Sequence, residues 1–132
     1  MYRPLRILLV DDDVDAADMF GMLLTSWGHE VVTRYDPHQA IDTAAAIKPD
    51  LVLVDIGMPR LNGYDTCKEI RQSCADRRPV MVAISGFVKR EDRVRSREAG
   101  FDAHLAKPVD PTSLQNLLSM VPPSGYTTGV ER

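Results

Sequence analysis

The chain has 132 residues, is 44% hydrophobic and 27% charged, and carries a net charge of −3, which suits one globular domain with a real core. That charge gives no reason to expect a nucleic-acid surface, and no apolar stretch approaches the roughly 18 residues of a membrane span. The opening Met1-Tyr2-Arg3-Pro4-Leu5-Arg6 lacks a signal-peptide apolar core, so a cytoplasmic location and no membrane partner are expected.

Ile7-Leu8-Leu9-Val10 is the first strand signal, and it runs into Asp11-Asp12-Asp13. Ala16, Phe20, Leu23, Leu24 and Trp27 then keep helical spacing, with Gly28 as the stop. Residues 30–35 read as a second strand. Asp36-Pro37 offers a helix cap with proline at the first helical position, and Ala40, Ile41, Ala44 and Ile47 supply that helix's inner face. The third strand, Leu51-Val52-Leu53-Val54, runs into Asp55. Met58-Pro59-Arg60-Leu61-Asn62-Gly63 reads as a loop, with Asn62 capping the next helix. Gly63, Cys67, Ile70 and Cys74 form that helix's buried stripe. The two cysteines would lie roughly 10 Å apart along it, too far for a disulfide.

Val80-Met81-Val82-Ala83-Ile84 is the fourth strand and stops at Ser85. Residues 89–99 predict a thinly anchored helix, because Val94 and Ala99 are its only apolar residues. A fifth short strand ends at Lys107-Pro108. Asp110-Pro111 repeats the cap-plus-proline device, and Leu114, Leu117, Leu118 and Val121 stripe the last helix. Pro122-Pro123-Ser124-Gly125 should end the structure, giving a domain over residues 5–121 and a disordered tail over 122–132.

Strand and helix signals alternate about five times, the mark of βαβ units and a doubly wound α/β parallel sheet. Ligands of such sheets bind outside the carboxyl ends of the strands. Asp11, Asp12, Asp55, Ser85 and Lys107 therefore share one rim. Crowded carboxylates repel unless a cation sits among them, and hard oxygen ligands without His or Cys suit Mg²⁺. Lys107 can pair with Asp55 and then hold a phosphoryl oxygen, while Ser85 can donate to another. Phosphoryl transfer, which needs mainly positioning and charge neutralisation, fits this set.

At these positions the chain resembles the receiver domain of two-component response regulators. The matches are Asp11-Asp12 after the first strand, Asp55 with Met58-Pro59 and Gly63 behind it, Ser85 ending the fourth strand, and Lys107-Pro108 after the fifth. The resemblance implies a flavodoxin-like fold with strand order 2-1-3-4-5, the order of the family's chemotaxis member. It implies that Asp55 is the phosphoacceptor, taking phosphate from a histidine kinase or a histidine phosphotransfer protein in a phosphorelay. Asp12, Asp55 and the Gly57 backbone carbonyl would hold Mg²⁺, with Asp11 acting through water. Ser85 would be the switch hydroxyl, Lys107 would contact the phosphate, and the Lys107–Pro108 bond would be cis. The output would be a phosphorylation-driven conformational switch read by a downstream protein partner, not turnover of a substrate. His104 stands where the family usually has an aromatic switch residue. The segment around it looks like receivers of hybrid histidine kinases, so a hybrid-kinase fragment is the alternative setting. Gly57 and Phe87 flank the approach of water to the acceptor.

Taken singly, these residues have plainer readings. An Asp pair is most often a cap or turn, and Asp13 reads as the cap. His29 and His38 read as structural. The Arg90, Arg93, Arg95 and Arg97 run is interleaved with Glu91, Asp92 and Glu98, so it reads as a solvated face, not a DNA patch. An EF-hand register starting at Asp11 fails, with Ala16 and Met22 where Gly and Glu are needed. The rival from enzymes is a haloacid-dehalogenase-type phosphatase, which Asp11-Asp12-Asp13-Val14-Asp15 superficially offers, but Asp55 has no place in it. A flavodoxin-like cofactor module would want a Ser/Thr/Gly-rich loop where this chain has three aspartates.

Overall fold

In the computed structural model of the chain, residues 4–57, 62–86 and 90–122 are described. Ten elements alternate: β1 (Arg6–Val10), α1 (Val14–Ser26), β2 (Glu30–Arg34), α2 (Pro37–Ile47), β3 (Leu51–Asp55), α3 (Gly63–Ser73), β4 (Val80–Ser85), α4 (Arg90–Ala99), β5 (Ala103–Ala106) and α5 (Pro111–Ser119). The strands form one parallel sheet in the order β2-β1-β3-β4-β5, as expected. Among the described residues no helix is long and apolar enough to cross a membrane. The Met58-Pro59 motif, Phe87, Lys89 and nearly all of the expected tail (residues 123–132) lie outside the described residues.

Side chains alternate across the central strands, so each strand feeds two cores. Leu8, Val10, Val52, Val54, Met81 and Ala83 pack with Ala40 and Ala44 of α2 and with Cys67, Ile70 and Cys74 along α3. Ile7, Leu9, Leu51, Leu53, Val82 and Ile84 pack with Ala17 and Leu24 of α1 and with Leu114 and Leu118 of α5. Burial on both faces is why these strands read as unbroken apolar runs. Each fully buried Leu, Ile or Val contributes about 1.5–3 kcal/mol, so the interior strands are the main anchor of the fold. Both cysteines are free and buried, and burial pushes the Cys67 thiol up to about 12, so it behaves as a small apolar residue.

The caps fall where the sequence puts them. Asp13, Asp36, Asn62 and Asp110 accept from the amides of Ala16, Gln39, Asp65 and Ser113 at 3.2, 3.1, 3.2 and 2.9 Å. The inner face of α1 differs from the expectation. Its buried residues are Ala17, Gly21 and Leu24, whereas Ala16 and Leu23 face outward. The cause is close packing against β2: a Cβ on Gly21 would stand 3.2 Å from the Thr33 methyl. Small residues mark this contact, and a count of large apolar side chains misses it. In α4 the departure is milder, with Ser96 joining Ala99 inside and Val94 left outside.

Candidate functional site

Register builds the site. Val10 pairs with Val54, so the next residues, Asp11 and Asp55, come side by side at the carboxyl rim. Asp55 pairs with Ile84 and Ser85 pairs with Ala106, which places Ser85 and Lys107 one step further along on the β4–β5 side. The Lys107 amide donates to the Ser85 carbonyl at 2.8 Å, tying the two residues together, and the Lys107–Pro108 bond is cis.

Asp55 is 1% exposed. Its Oδ1 accepts the Gly57 N–H at 2.8 Å, and its Oδ2 accepts from the Lys107 ammonium in a salt bridge. A charge so deeply buried persists only when paired and hydrogen-bonded, and both conditions are met here. Asp11 is also buried, and its Oδ1 accepts the Asp13 amide at 2.9 Å. Burial pushes the Asp11 carboxyl up to about 6, the Asp13 N–H opposes this, and the adjacent Asp55 adds to it while Lys107 subtracts. Asp12 follows on the same rim, half-buried. Asp13 points away as the α1 cap, which removes it from the site.

The structure therefore gathers Asp11, Asp55, Gly57, Ser85 and Lys107 into one cluster and sets Asp12 beside it. Among the described residues no group of three or more His, Cys, Asp or Glu side chains is arranged to hold a metal ion. Mg²⁺ takes one or two carboxylates and keeps several waters. The donor set, oxygens only and carrying crowded negative charge, fits that ion. Gly57 meets Asp55 through its N–H, whereas the family resemblance points only to its carbonyl. The spacing Asp55-x-Gly57 is the signal, since a carboxylate readily accepts from an amide two residues on.

His104 is the other addition. It sits in β5 opposite Ala83, and its Nε2 lies 3.1 Å from the Ser85 Oγ, while its Nδ1 is buried without a hydrogen-bond partner among the described residues. Burial lowers its pKa, helped by Arg93 and opposed by Asp92. The sequence marks His104 as unusual but cannot say that it meets the Ser85 hydroxyl. His29 is structural as expected: it is buried and its Nδ1 accepts the Leu5 amide at 3.0 Å.

The family model for the response regulator receiver domain matches residues 7–119. The chain is 35% identical over 116 residues to response regulator MprA of Mycolicibacterium vanbaalenii, covering 88% of this chain and 48% of that protein. It is 35% identical over 109 residues to DNA-binding response regulator MtrA of Mycolicibacterium paratuberculosis, covering 83% and 47%. The chain thus spans about half the length of these curated relatives. Among solved structures, a CheY-like receiver domain protein of Methanospirillum hungatei superposes with a TM-score of 0.79 at 26% identity, covering 89% of this chain and 92% of that one. The chemotaxis protein CheY4 of Vibrio cholerae superposes with a TM-score of 0.83 at 24% identity over 91% and 100%, a likeness of fold alone.

Proposed function

The chain belongs to the response regulator receiver family, a family of signalling domains and not turnover enzymes, and from that premise we propose that Asp55 is its phosphoacceptor. The observation that carries the reading is Asp55 itself: 1% exposed at a strand end, held by the Gly57 N–H on one oxygen and by Lys107 on the other, with Asp11 alongside. The donor is a phosphohistidine of a histidine kinase or a phosphotransfer protein. A carboxylate oxygen of Asp55 attacks phosphorus, the P–N bond breaks as the P–O bond forms, and the imidazole leaves with the bonding pair. Lys107, already at Asp55, then holds a phosphoryl oxygen, and the Ser85 hydroxyl donates to another.

The receiver family binds Mg²⁺ at its acidic phosphorylation site. In this chain Asp12, Asp55 and the Gly57 carbonyl would hold it, with Asp11 reaching it through water. When bound, the cation neutralises charge on the carboxylates and on the phosphoryl oxygens. Residues 5–121 form the receiver unit in this reading, and the cytoplasm is its compartment. Ser85 and His104 form the switch that a downstream protein partner reads. DNA contact is not assigned to this unit: the net charge is −3 and acidic residues interleave the α4 arginines. A haloacid-dehalogenase-type phosphatase is disfavoured because Asp13, which its motif would need at the reacting centre, caps α1 instead.

Intact-mass analysis after incubation with Mg²⁺ and acetyl phosphate tests the proposal. One added phosphate on the parent chain and none on Asp55→Asn is the expected result. Equal labelling of the variant rules out Asp55, and steady turnover of an added phosphoester would return the phosphatase reading.

A further inference from the structure

We infer that His104 is a positioning residue for phosphoryl binding: its Nε2–H donates to the Ser85 hydroxyl and so turns the Ser85 proton toward an oxygen of a phosphoryl group on Asp55. This rests on the phosphoacceptor reading above and adds the residue that stands behind the hydroxyl.

A neutral imidazole has one N–H to place. On Nδ1 it would be a buried donor with no acceptor among the described residues, whereas on Nε2 it meets the Ser85 oxygen at 3.1 Å. Orphaned buried N–H groups are rarer than unfilled acceptors, so the proton belongs on Nε2. A hydroxyl that accepts one hydrogen bond still has its own proton to give, and accepting strengthens it as a donor. The sheet decides where that proton can go. Asp55 pairs with Ile84, the residue before Ser85, and Lys107 joins the Ser85 carbonyl to the Asp55 carboxylate. A phosphoryl group on Asp55 is thus the acceptor on the far side of Ser85 from His104.

Charge adds a second handle. The charged groups acting on the ring are Arg93 and Asp92 of α4. On the β4 side the ring meets the uncharged Ser85, beyond which stand Asp55 and Lys107. A phosphoryl group adds negative charge on that side and favours the imidazolium. Proton binding at His104 and phosphoryl binding at Asp55 then assist one another by the same factor.

Two measurements test the inference. Nitrogen-15 shifts of the His104 ring in the free protein should report the Nε2–H tautomer, and an Nδ1–H tautomer overturns the assignment. Affinity for beryllofluoride with Mg²⁺, read by NMR titration, should fall about tenfold in His104→Phe, the size of one hydrogen bond, and recover to within about twofold in His104→Gln, which keeps a donor at similar reach. The ratio of parent to His104→Gln affinity should rise severalfold on going from about pH 7.5 to about pH 5.5, because only the parent can take up the proton. Unchanged affinity in His104→Phe, or a flat ratio, overturns the inference. Beryllofluoride binding that persists in Asp55→Asn would instead overturn the phosphoacceptor reading, and the tautomer measurement stands independently of it.

Discussion

Two aspartates follow β1 at the rim, and they are not equivalent. Asp11 is the one buried against Asp55, and its carboxyl is pushed up to about 6. Asp11→Asn keeps an acceptor for the Asp13 amide and removes one of two adjacent charges. In chelator near neutral pH it should stabilise the fold by about 1–2 kcal/mol at an effective dielectric near 20. Urea denaturation checks this, and a lower midpoint contradicts it. His29 gives a pH effect of known sign. Burial lowers its folded pKa below 6.5 while the unfolded chain keeps the ordinary value. The unfolded state therefore binds more protons as pH drops. The stability that neutral His29 supports is complete above about pH 6.5 and is lost as pH falls toward the folded pKa. His29→Asn retains an acceptor for the Leu5 amide and cannot titrate. Its unfolding midpoint should fall less than the parent's between about pH 7.5 and about pH 5.5. Parallel curves would count against His29 as the titrating group.

At the scale of elements, α3 is locked in place at both ends. At its start, a Cβ on Gly63 would lie 2.4 Å from the Ile56 Cγ2, so the helix approaches the residue after Asp55 as only glycine permits. At its end, Arg71 donates to the Gly100 carbonyl through Nε at 2.9 Å and Nη2 at 2.7 Å, to the Pro79 carbonyl, and to Asp102. Asp102 in turn accepts the Met81 amide at 2.9 Å. Gly100 completes this joint, with φ at +108° and the Arg71 side chain 3.2 Å from where its Cβ would stand. One guanidinium thus ties α3 to the turn between α4 and β5. Arg71→Ala should cost about 2–3 kcal/mol, the scale of hydrogen bonds to a charged group left with buried carbonyls unpaired. Amide exchange should quicken at residues 100–102 and at Met81. Arg71→Lys should not restore protection, because a single ammonium cannot span the forked contacts. By contrast α4 presents Val94 and most of its charges to solvent, and Arg95 lies over the Tyr64 ring at 4.1 Å. It is the helix with least to lose on moving.

The whole molecule separates its chemistry from its supports. Asp11, Asp55, Ser85 and Lys107 stand at the carboxyl rim, while His29 and Asp50 hold the opposite end by accepting the amides of Leu5 and Arg6 at 3.0 and 2.7 Å. The only tryptophan, Trp27, caps the far end of the 13-residue α1 and packs against the α1–α5 core. That helix places it about 20 Å from the rim at 1.5 Å per residue. Mg²⁺ should therefore leave tryptophan emission nearly unchanged, and a large saturable quench would contradict this placement of the site.

The apolar runs determined the parallel sheet by themselves, because strands buried on both faces must be apolar throughout, and the residues ending those runs named the rim: Asp11, Asp12, Asp55, Ser85 and Lys107. The helix caps were equally legible, since capping depends on residues three apart in the chain. Contacts between distant segments were not. That Asp11 rather than Asp12 is buried beside Asp55, that α1 turns Ala17 and Gly21 inward, that Arg71 clasps Gly100, and that His104 reaches Ser85 all follow from register and close packing. Local sequence fixes which side chains are available at a strand end. Only tertiary packing decides which of them face each other, because a shift of one residue turns a strand side chain to the opposite face.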